Sequence, residues 1–268
     1  MLIGGRHIEG IGLGTAQFAF REGTAEESVA TVHAALDAGV MLIDTALAYT
    51  RVGIESYAEK VVACALRGVT SERPLIATKG GHWREDGAFP VDGRPETLRT
   101  HCEISLLALE VDRIDLYQLH HVDPEVPLTD SVGALEQLRQ EGKIAAIGLS
   151  NVTVAQLDEA LTITRVATVQ NRLSYSHPSD LPTTLACAAR DVAYLAYTPF
   201  GGSSGPMPGA ALAVAKRRGV SVHRVLLAWL RQQSPNIVPL AGASRPASIR
   251  DSATLLDLTA QDLDDLVP

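Results

Sequence analysis

Four ionisable residues of this sequence each stand at the end of a short apolar run. Asp44 and Tyr49 lie in VMLIDTALAY, Lys79 in PLIATKGG, and His120 follows IDLYQL. The run AAIGLSN ends in polar residues in the same way. A phenol with an ordinary pKa of about 10 is a weak acid at neutral pH, but a neighbouring cation lowers that pKa. A tyrosine, a lysine and a carboxylate that keeps the lysine charged are therefore suited to acid–base chemistry.

Such residues meet only if the strands that carry them share one edge of a sheet. In a parallel barrel the carboxyl ends of all strands gather at one rim, and the functional side chains lie there. Strand-like and helix-like segments alternate along this chain with a period of about thirty residues, and eight such pairs can be counted. The pattern predicts a single (β/α)8 TIM barrel over residues 1–268, in the α/β class, with the four ionisable residues on one rim.

Turn and cap signals predict several boundaries. A short N-terminal hairpin is expected over residues 2–10, around the pair Gly4-Gly5, and is predicted to close the floor of the barrel. The first barrel strand is expected in IGLGTAQF. A capping box of Thr24 and Glu27 begins the next helix, and a further helix is expected over residues 54–66.

The composition restricts the class of protein. A length of 268 residues with 46% hydrophobic content suits one barrel of this kind. The net charge of -8 argues against nucleic acid as a partner and favours a small molecule. Cys64, Cys102 and Cys187 match neither a metal site nor a disulfide framework. With no signal peptide and no apolar run of the roughly 18 residues that a membrane span needs, we expect a cytoplasmic monomer or small homo-oligomer.

Seven segments in order resemble the aldo-keto reductase superfamily, and together they extend over almost the whole chain. They are IDTALAY, ATKGG, DLYQLHHVDP, GLSN, VQNRLSY, AYTPFGG and PLAGASRP. The resemblance implies a (β/α)8 barrel with an NAD(P)H-dependent oxidoreductase activity. Such an enzyme reduces the carbonyl of an aldehyde or ketone by hydride transfer, or oxidises the matching alcohol.

The same resemblance gives the four ionisable residues catalytic roles. Tyr49 is then the general acid that protonates the carbonyl oxygen, and Lys79 is the cation that lowers its pKa. Asp44 is the counter-ion of Lys79, and His120 orients the carbonyl by a hydrogen bond. His121 is expected to point away from His120 across the strand, because successive side chains of a strand alternate in direction.

Two loops are candidate walls of a substrate pocket, residues 80–94 and 200–209. The predicted substrate contacts are Trp83, from the first loop, and His121, which is expected to act indirectly. Members of the resembled family commonly continue into a C-terminal loop that closes over the substrate. The sequence ends at Pro268, directly after the last predicted helix. We therefore expect no C-terminal substrate loop and a pocket that is open on that side.

The resemblance also implies a cofactor, NADP (NADPH), with NAD as a weaker second ligand. Ser150, Asn151 and Gln170 would hold the nicotinamide carboxamide, and Tyr197 would stack on its ring. The residues expected at the pyrophosphate are Phe200, Gly201, Gly202 and Ser203. The residues expected at the adenosine 2'-phosphate are Ala243, Ser244 and Arg245. Ser248, Asp251 and Ser252 replace longer ligands that are frequent in the family, so the preference for NADP is expected to be modest.

Two other functions remain open. A metal-dependent barrel hydrolase would use Asp44, His120, His121 and Asp123 as ligands, with Lys79 as a bridging group. The sequence has no HxH in its first strand and no HExxH, so no metal site is predicted. A non-catalytic, cofactor-sensing subunit would share the fold without the reaction. The intact set of four ionisable residues favours an enzyme. The carbonyl substrate stays open among sugars, pyridoxal, and short or aromatic aldehydes.

Overall fold

The chain begins with a small antiparallel hairpin of β1 (Leu2–Ile3) and β2 (Arg6–His7). The computed structural model describes residues 1–85, 87–202 and 206–267. Gly4 and Gly5 form the turn, and both have a positive φ, which glycine adopts without strain. Ile3 is completely buried in an apolar cluster with side chains from inside the barrel. The predicted hairpin is confirmed, and it fills the floor of the barrel.

Eight parallel strands close into a barrel above this hairpin. In chain order the strands are β3 (Gly12–Gly14), β4 (Leu42–Asp44), β5 (Leu75–Gly80), β6 (Ile114–Leu119), β7 (Ile144–Ser150), β8 (Val166–Arg172), β9 (Ala193–Tyr197) and β10 (Ile237–Gly242). Each strand pairs with its neighbours in sequence, and β10 pairs with β3 to complete the ring. The predicted (β/α)8 barrel is confirmed.

Helices surround the barrel; most of them connect its strands, and the last two follow the last strand. They are α1 (Ala16–Phe20), α2 (Ala25–Asp37), α3 (Tyr57–Leu66), α4 (Pro95–Leu109), α5 (Leu128–Gln140), α6 (Val154–Leu161), α7 (Leu181–Ala188), α8 (Gly209–Arg218), α9 (Val222–Gln233), α10 (Pro246–Ala253) and α11 (Ala260–Asp265). The predicted capping box of Thr24 and Glu27 is present at the start of α2. Among the described residues, no helix combines the length and hydropathy needed to cross a membrane.

Two predicted boundaries are wrong, and both differences have a local cause. The strand predicted over IGLGTAQF ends at Gly14, because the amide and hydroxyl of Thr15 both bond to the last carbonyl of β4 and the chain then turns into α1. The helix predicted from residue 54 begins at Tyr57 instead. Ile54 pairs with Arg51 in an isolated bridge, and Ser56 has a left-handed φ of 49° that precedes the helix.

The interior of the barrel has two levels. The lower level is apolar and includes Leu42, Leu75, Ala77, Leu116, Ala146, Leu195 and Leu240, packed with Ile3 and Ile8 of the hairpin region. The upper level is polar and buried, and includes Asp44, Lys79, Gln118, Thr168 and Gln170. Because side chains two residues apart on a strand face the same way, one step up β4, β5 or β6 leads from the apolar level to the polar one.

The hairpin should stabilise the fold without taking part in the chemistry at the opposite rim. Ile3→Ala removes a completely buried side chain and leaves a cavity in the floor, so we expect a loss of about 2–5 kcal/mol in the free energy of unfolding. Leu2→Ala, at a side chain that is 58% exposed, is the control and should change little. Denaturant unfolding of both variants measures the difference, and equal stabilities would contradict a packed floor.

Candidate active site

A buried ion pair lies at the centre of the upper level. The side chain of Lys79 on β5 is 0% exposed and that of Asp44 on β4 is 4% exposed. Lys79 Nζ lies 2.8 Å from both carboxylate oxygens of Asp44 and 2.8 Å from the backbone oxygen of Thr45. A buried charge is tolerated when an opposite charge and further hydrogen bonds replace its water. The last residue of β4 and the first residue of the loop after it therefore supply the groups that hold this ammonium group.

Tyr49 reaches the same ammonium group from the loop that follows β4. Its hydroxyl lies 3.4 Å from Lys79 Nζ. Burial raises the pKa of Tyr49 above its ordinary value, although the positive charge of Lys79 acts to lower it. We expected Lys79 to lower the pKa of this phenol, but in the structure the effect of burial is larger and the pKa is raised. Tyr49 keeps its proton at neutral pH, in contact with a cation that favours the release of that proton.

Lys79 itself stays charged in this environment. Burial acts to lower the pKa of Lys79, but the charge of Asp44 and the hydrogen bonds to Asp44 and Tyr49 act in the opposite direction. The net pKa lies above its ordinary value. Lys79 therefore remains charged at neutral pH and places a fixed positive charge beside the hydroxyl of Tyr49.

His120 follows β6 directly and faces the same space. Its ring stands edge-on to that of Tyr49, with 6.2 Å between the ring centroids. Burial, and then the charge of Lys79, holds the pKa of His120 well below its usual range. Its imidazole is therefore neutral at pH 7 and offers one donor and one acceptor. The Nδ1 atom of His120 is buried and has no hydrogen-bond partner among the described residues.

His121 does not point away from His120, and that expectation is wrong. The two rings stack with 5.1 Å between centroids and 18° between planes. β6 ends at Leu119, so the alternation of strand side chains does not extend to the two histidines. Burial and then His82 lower the pKa of His121 to about 4, so this ring is also neutral at pH 7.

The loop after β5 contributes a third imidazole. His82 lies 4.8 Å, between ring centroids, from both His120 and His121. Trp83, predicted as a substrate contact, instead packs edge-on against His101 of α4 and does not line the cleft described below. Neighbouring residues of an extended segment face opposite sides, so His82 and Trp83 cannot both face the rim. His82 faces it, and Trp83 faces α4. Across the described part of the chain, no three His, Cys, Asp or Glu side chains are arranged to hold a metal ion.

A cleft of about 990 Å³ opens beside these residues at the carboxyl end of the barrel. Asp44, Tyr49, His120 and His121 line one part of it. The predicted cofactor residues that line it are Ser150, Asn151, Gln170, Tyr197, Phe200, Gly202, Ala243, Ser244 and Arg245. Gly201 lies in the same turn as Phe200 and Gly202, and Ser203 lies outside the described residues. The cleft therefore brings nearly all predicted site residues together.

The predicted carboxamide residues are joined to the predicted catalytic residues by hydrogen bonds. The Gln170 amide nitrogen donates to Asp44 Oδ1 at 2.7 Å. The Asn151 amide nitrogen donates to the backbone oxygen of His120 at 3.0 Å, and Asn151 Oδ1 accepts from the Tyr197 hydroxyl at 2.8 Å. Asn151 has a φ of 59°, a conformation that asparagine tolerates better than most residues. The Ser150 hydroxyl donates to the backbone oxygen of Gln170.

The far end of the cleft lies at the start of α10. Arg245 is the N-cap residue of this helix and is exposed, with Pro246 in its first turn. A guanidinium group beside the free N–H groups of a helix start suits an anion. His223 of α9 lines the same region, with its ring edge-on to Phe200 at 4.7 Å. Nothing in the sequence alone distinguishes His223, because it lies inside an amphipathic helix.

Comparison with known proteins assigns the family. The model of the Aldo/keto reductase family matches residues 10–267. The chain belongs to this family. An uncharacterised oxidoreductase of Schizosaccharomyces pombe is 31% identical over 224 residues, which is 82% of this chain and 71% of the relative. Pyridoxine 4-dehydrogenase of Escherichia coli is 29% identical over 232 residues, 84% of this chain and 79% of the relative.

A solved structure extends the comparison to a bound cofactor. The aldo/keto reductase of Klebsiella pneumoniae, in complex with NADP and acetate, has a TM-score of 0.81 and 27% identity, covering 97% of this chain and 90% of that chain. Family membership, relatives named as an oxidoreductase and a dehydrogenase, and this neighbour support a carbonyl oxidoreductase that uses a nicotinamide cofactor.

The depressed pKa of His121 has a consequence for stability. The pKa is about 4 in the folded protein and 6.5 ordinarily, so between these values the unfolded chain binds a proton that the folded protein does not. Stability therefore falls as the pH falls through this window. We expect the Tm of His121→Asn to fall less steeply than that of the wild type. The slope should persist in part, because His82 and His120 have pKa values shifted in the same direction.

Thermal unfolding between about pH 4 and 7 measures this effect. His7→Asn, which removes an exposed imidazole from the hairpin, is the control for loss of a histidine elsewhere. Parallel Tm curves for the wild type and His121→Asn would show that His121 is not buried against His82 in solution.

Proposed function

We propose that this protein is an NADP-dependent reductase of aldehydes and ketones in which Tyr49 is the general acid. The observation that carries the proposal is the hydroxyl of Tyr49, held 3.4 Å from a completely buried and charged Lys79 at the wall of a large cleft. A phenol in this position keeps its proton until negative charge develops on a nearby oxygen. In this proposal Lys79 is the cation beside Tyr49, and Asp44 is the counter-ion of Lys79. His120 orients the carbonyl group.

The residues that line the cleft fit a nicotinamide dinucleotide. Its volume of about 990 Å³ lies at the upper end of the usual range for ligand sites. Gln170 uses its amide nitrogen on Asp44, which leaves its carbonyl oxygen to accept from an amide ligand. Arg245 and the start of α10 suit a phosphate at the other end. When bound, the cofactor supplies the hydride for the reduction.

The chain's own residues then handle the proton and the charge. The neutral ring of His120 donates a hydrogen bond to the carbonyl oxygen, and Tyr49 transfers its proton to that oxygen as it becomes negative. The charge of Lys79 stabilises the phenolate that remains. Because the protonated form of Tyr49 is required, reduction should decline as the pH rises through the pKa of Tyr49. Oxidation of the alcohol should show the opposite dependence.

Aromatic side chains pack beside Tyr49, next to the cleft. Phe20 stands edge-on to Tyr49 at 5.7 Å and to Phe89 at 6.4 Å, and the guanidinium of Arg84 lies 5.7 Å from the centres of both phenylalanine rings. Flat rings offer large contact surfaces to flat ligands. We therefore place aromatic and heteroaromatic aldehydes first among the substrates, and pyridoxal among them because of the similarity to pyridoxine 4-dehydrogenase.

The role of Tyr49 is tested by Tyr49→Phe. We expect kcat to fall by at least about a hundredfold with little change in the Kd for NADPH, because only the proton donor is lost. Stopped-flow or steady-state NADPH oxidation with a panel of aldehydes measures turnover, and fluorescence titration measures binding. Tyr57→Phe is the control, since its buried hydroxyl has no hydrogen-bond partner among the described residues.

A Tyr49→Phe enzyme that keeps more than about a tenth of wild-type turnover would remove Tyr49 from the role of acid. A wild-type protein that binds NADPH but oxidises it with no aldehyde or ketone would favour the cofactor-sensing subunit instead.

The choice of cofactor is tested at Arg245. A charge-assisted contact to the 2'-phosphate is worth about 1.5–3 kcal/mol. Because Ser248 and Ser252 are short, we expect a value near the lower end of this energy range. NADPH should then bind about tenfold more tightly than NADH. Arg245→Ala should weaken NADPH and leave NADH nearly unchanged. Arg250→Ala, on the same helix and outside the cleft, is the matched control. Equal losses for the two cofactors in paired titrations would rule out a 2'-phosphate contact by Arg245.

A further inference from the structure

Gln118 belongs to the polar level of the barrel but has no role in the reaction described so far. It lies on β6, two residues before His120, and is completely buried. Its amide nitrogen lies 3.4 Å from Asp44 Oδ1, and its amide oxygen accepts from the Thr168 hydroxyl at 3.1 Å. Only the NH₂ group can donate to a carboxylate, so Asp44 and Thr168 together set the orientation of this amide.

The strand register keeps space for this contact. Lys79 pairs with Gln118, Gln118 with Gly148, and Gly148 with Thr168, across four consecutive strands. A Cβ atom on Gly148 would lie 2.3 Å from Thr168 Oγ1 and 2.8 Å from Gln118 Cγ, which no packed structure accommodates without a shift. The glycine on β7 therefore allows the side chains of Gln118 and Thr168 to meet across it.

Asp44 depends on donors other than Lys79. Its Oδ1 atom accepts from Lys79 at 2.8 Å, from Gln170 at 2.7 Å and, at the longer distance of 3.4 Å, from Gln118. Hydrogen bonds to the ionised form of a carboxylate favour that form and fix its plane. Gln170 also lines the cleft proposed for the cofactor, so a ligand there can contact it. Gln118 does not line that cleft, so cofactor binding leaves its contact with Asp44 intact.

We propose that Gln118 is a positioning residue of the reaction, which acts through Asp44 and is itself held by Thr168. By donating to Asp44 from below, it keeps the carboxylate in the plane that holds Lys79 against the hydroxyl of Tyr49. This inference rests on the proposed function, because it assumes that the Asp44–Lys79 pair assists proton transfer from Tyr49. The role differs from a structural one, because its loss should alter the chemical step and leave binding unchanged.

The first test is Gln118→Met, which keeps the length of the side chain and removes both polar ends. We expect kcat for aldehyde reduction to fall by about tenfold, with the KM for the aldehyde and the Kd for NADPH unchanged, since a hydrogen bond to a charged group is lost. Tyr117→Phe is the matched control. Tyr117 neighbours Gln118 on β6, is equally buried, faces the helices and donates to Leu98, so its variant loses a buried hydrogen bond without touching Asp44.

The second test uses the partner of Gln118. Thr168→Val should lower kcat by about threefold, because Gln118 then loses the hydroxyl that orients it. The double variant Gln118→Met with Thr168→Val should turn over no more slowly than Gln118→Met alone, since both act along one path. Thr168→Val also keeps the proposal testable if Gln118→Met does not fold, which circular dichroism would reveal.

The outcomes separate this inference from the proposed function. If Tyr49→Phe is inactive while Gln118→Met and Thr168→Val keep wild-type kcat, the role of Gln118 is overturned and the function of Tyr49 stands. A fall in kcat for Tyr117→Phe equal to that for Gln118→Met would also overturn it, because any buried hydrogen bond of β6 would then have the same effect. If Tyr49→Phe retains turnover, both proposals fail together.

Discussion

A lysine ammonium group with no exposure to solvent constrains the whole upper half of this barrel. Removing such a charge from water costs several kcal/mol even after the protein relaxes, and the cost is offset only by an opposite charge and a complete set of hydrogen bonds. Lys79 finds them in Asp44, the backbone oxygen of Thr45 and the hydroxyl of Tyr49. Asp44 in turn needs donors, which Gln170 and Gln118 supply. The polar level follows from this one buried charge.

The apolar level below has a complementary effect. The hairpin closes the floor, and the lower interior is filled by aliphatic side chains, among them Leu42, Leu75 and Leu116. Charges interact more strongly where polarisable water is excluded. The ion pair therefore lies between an apolar floor and the cleft, where its field acts on Tyr49 and His120 more strongly than it would in water. Burial, and then the positive charge of Lys79, holds the pKa of His120 well below its usual range.

Hydrogen bonds connect the predicted catalytic residues of the cleft with the predicted cofactor residues. Asn151 donates to the backbone of His120 and accepts from Tyr197, while Gln170 donates to Asp44. The residues predicted to act on the carbonyl and those predicted to hold the cofactor therefore belong to one hydrogen-bonded network.

The sequence by itself determined the barrel and the positions of Asp44, Lys79 and His120. Each of them ends an apolar run, and the ends of parallel strands meet at one rim. Only the tertiary structure decided how the side chains that follow the strands are oriented and which side chains of different strands are in contact. Alternation stops with the strand, so the stacking of His121 on His120 followed from loop geometry. The contact of Gln118 with Asp44 joins residues 74 positions apart. The pKa of Tyr49 is raised by burial and lowered by the charge of Lys79, and burial has the larger effect. Both depend on distances between atoms in the folded protein, which cannot be read from the spacing of residues along the chain.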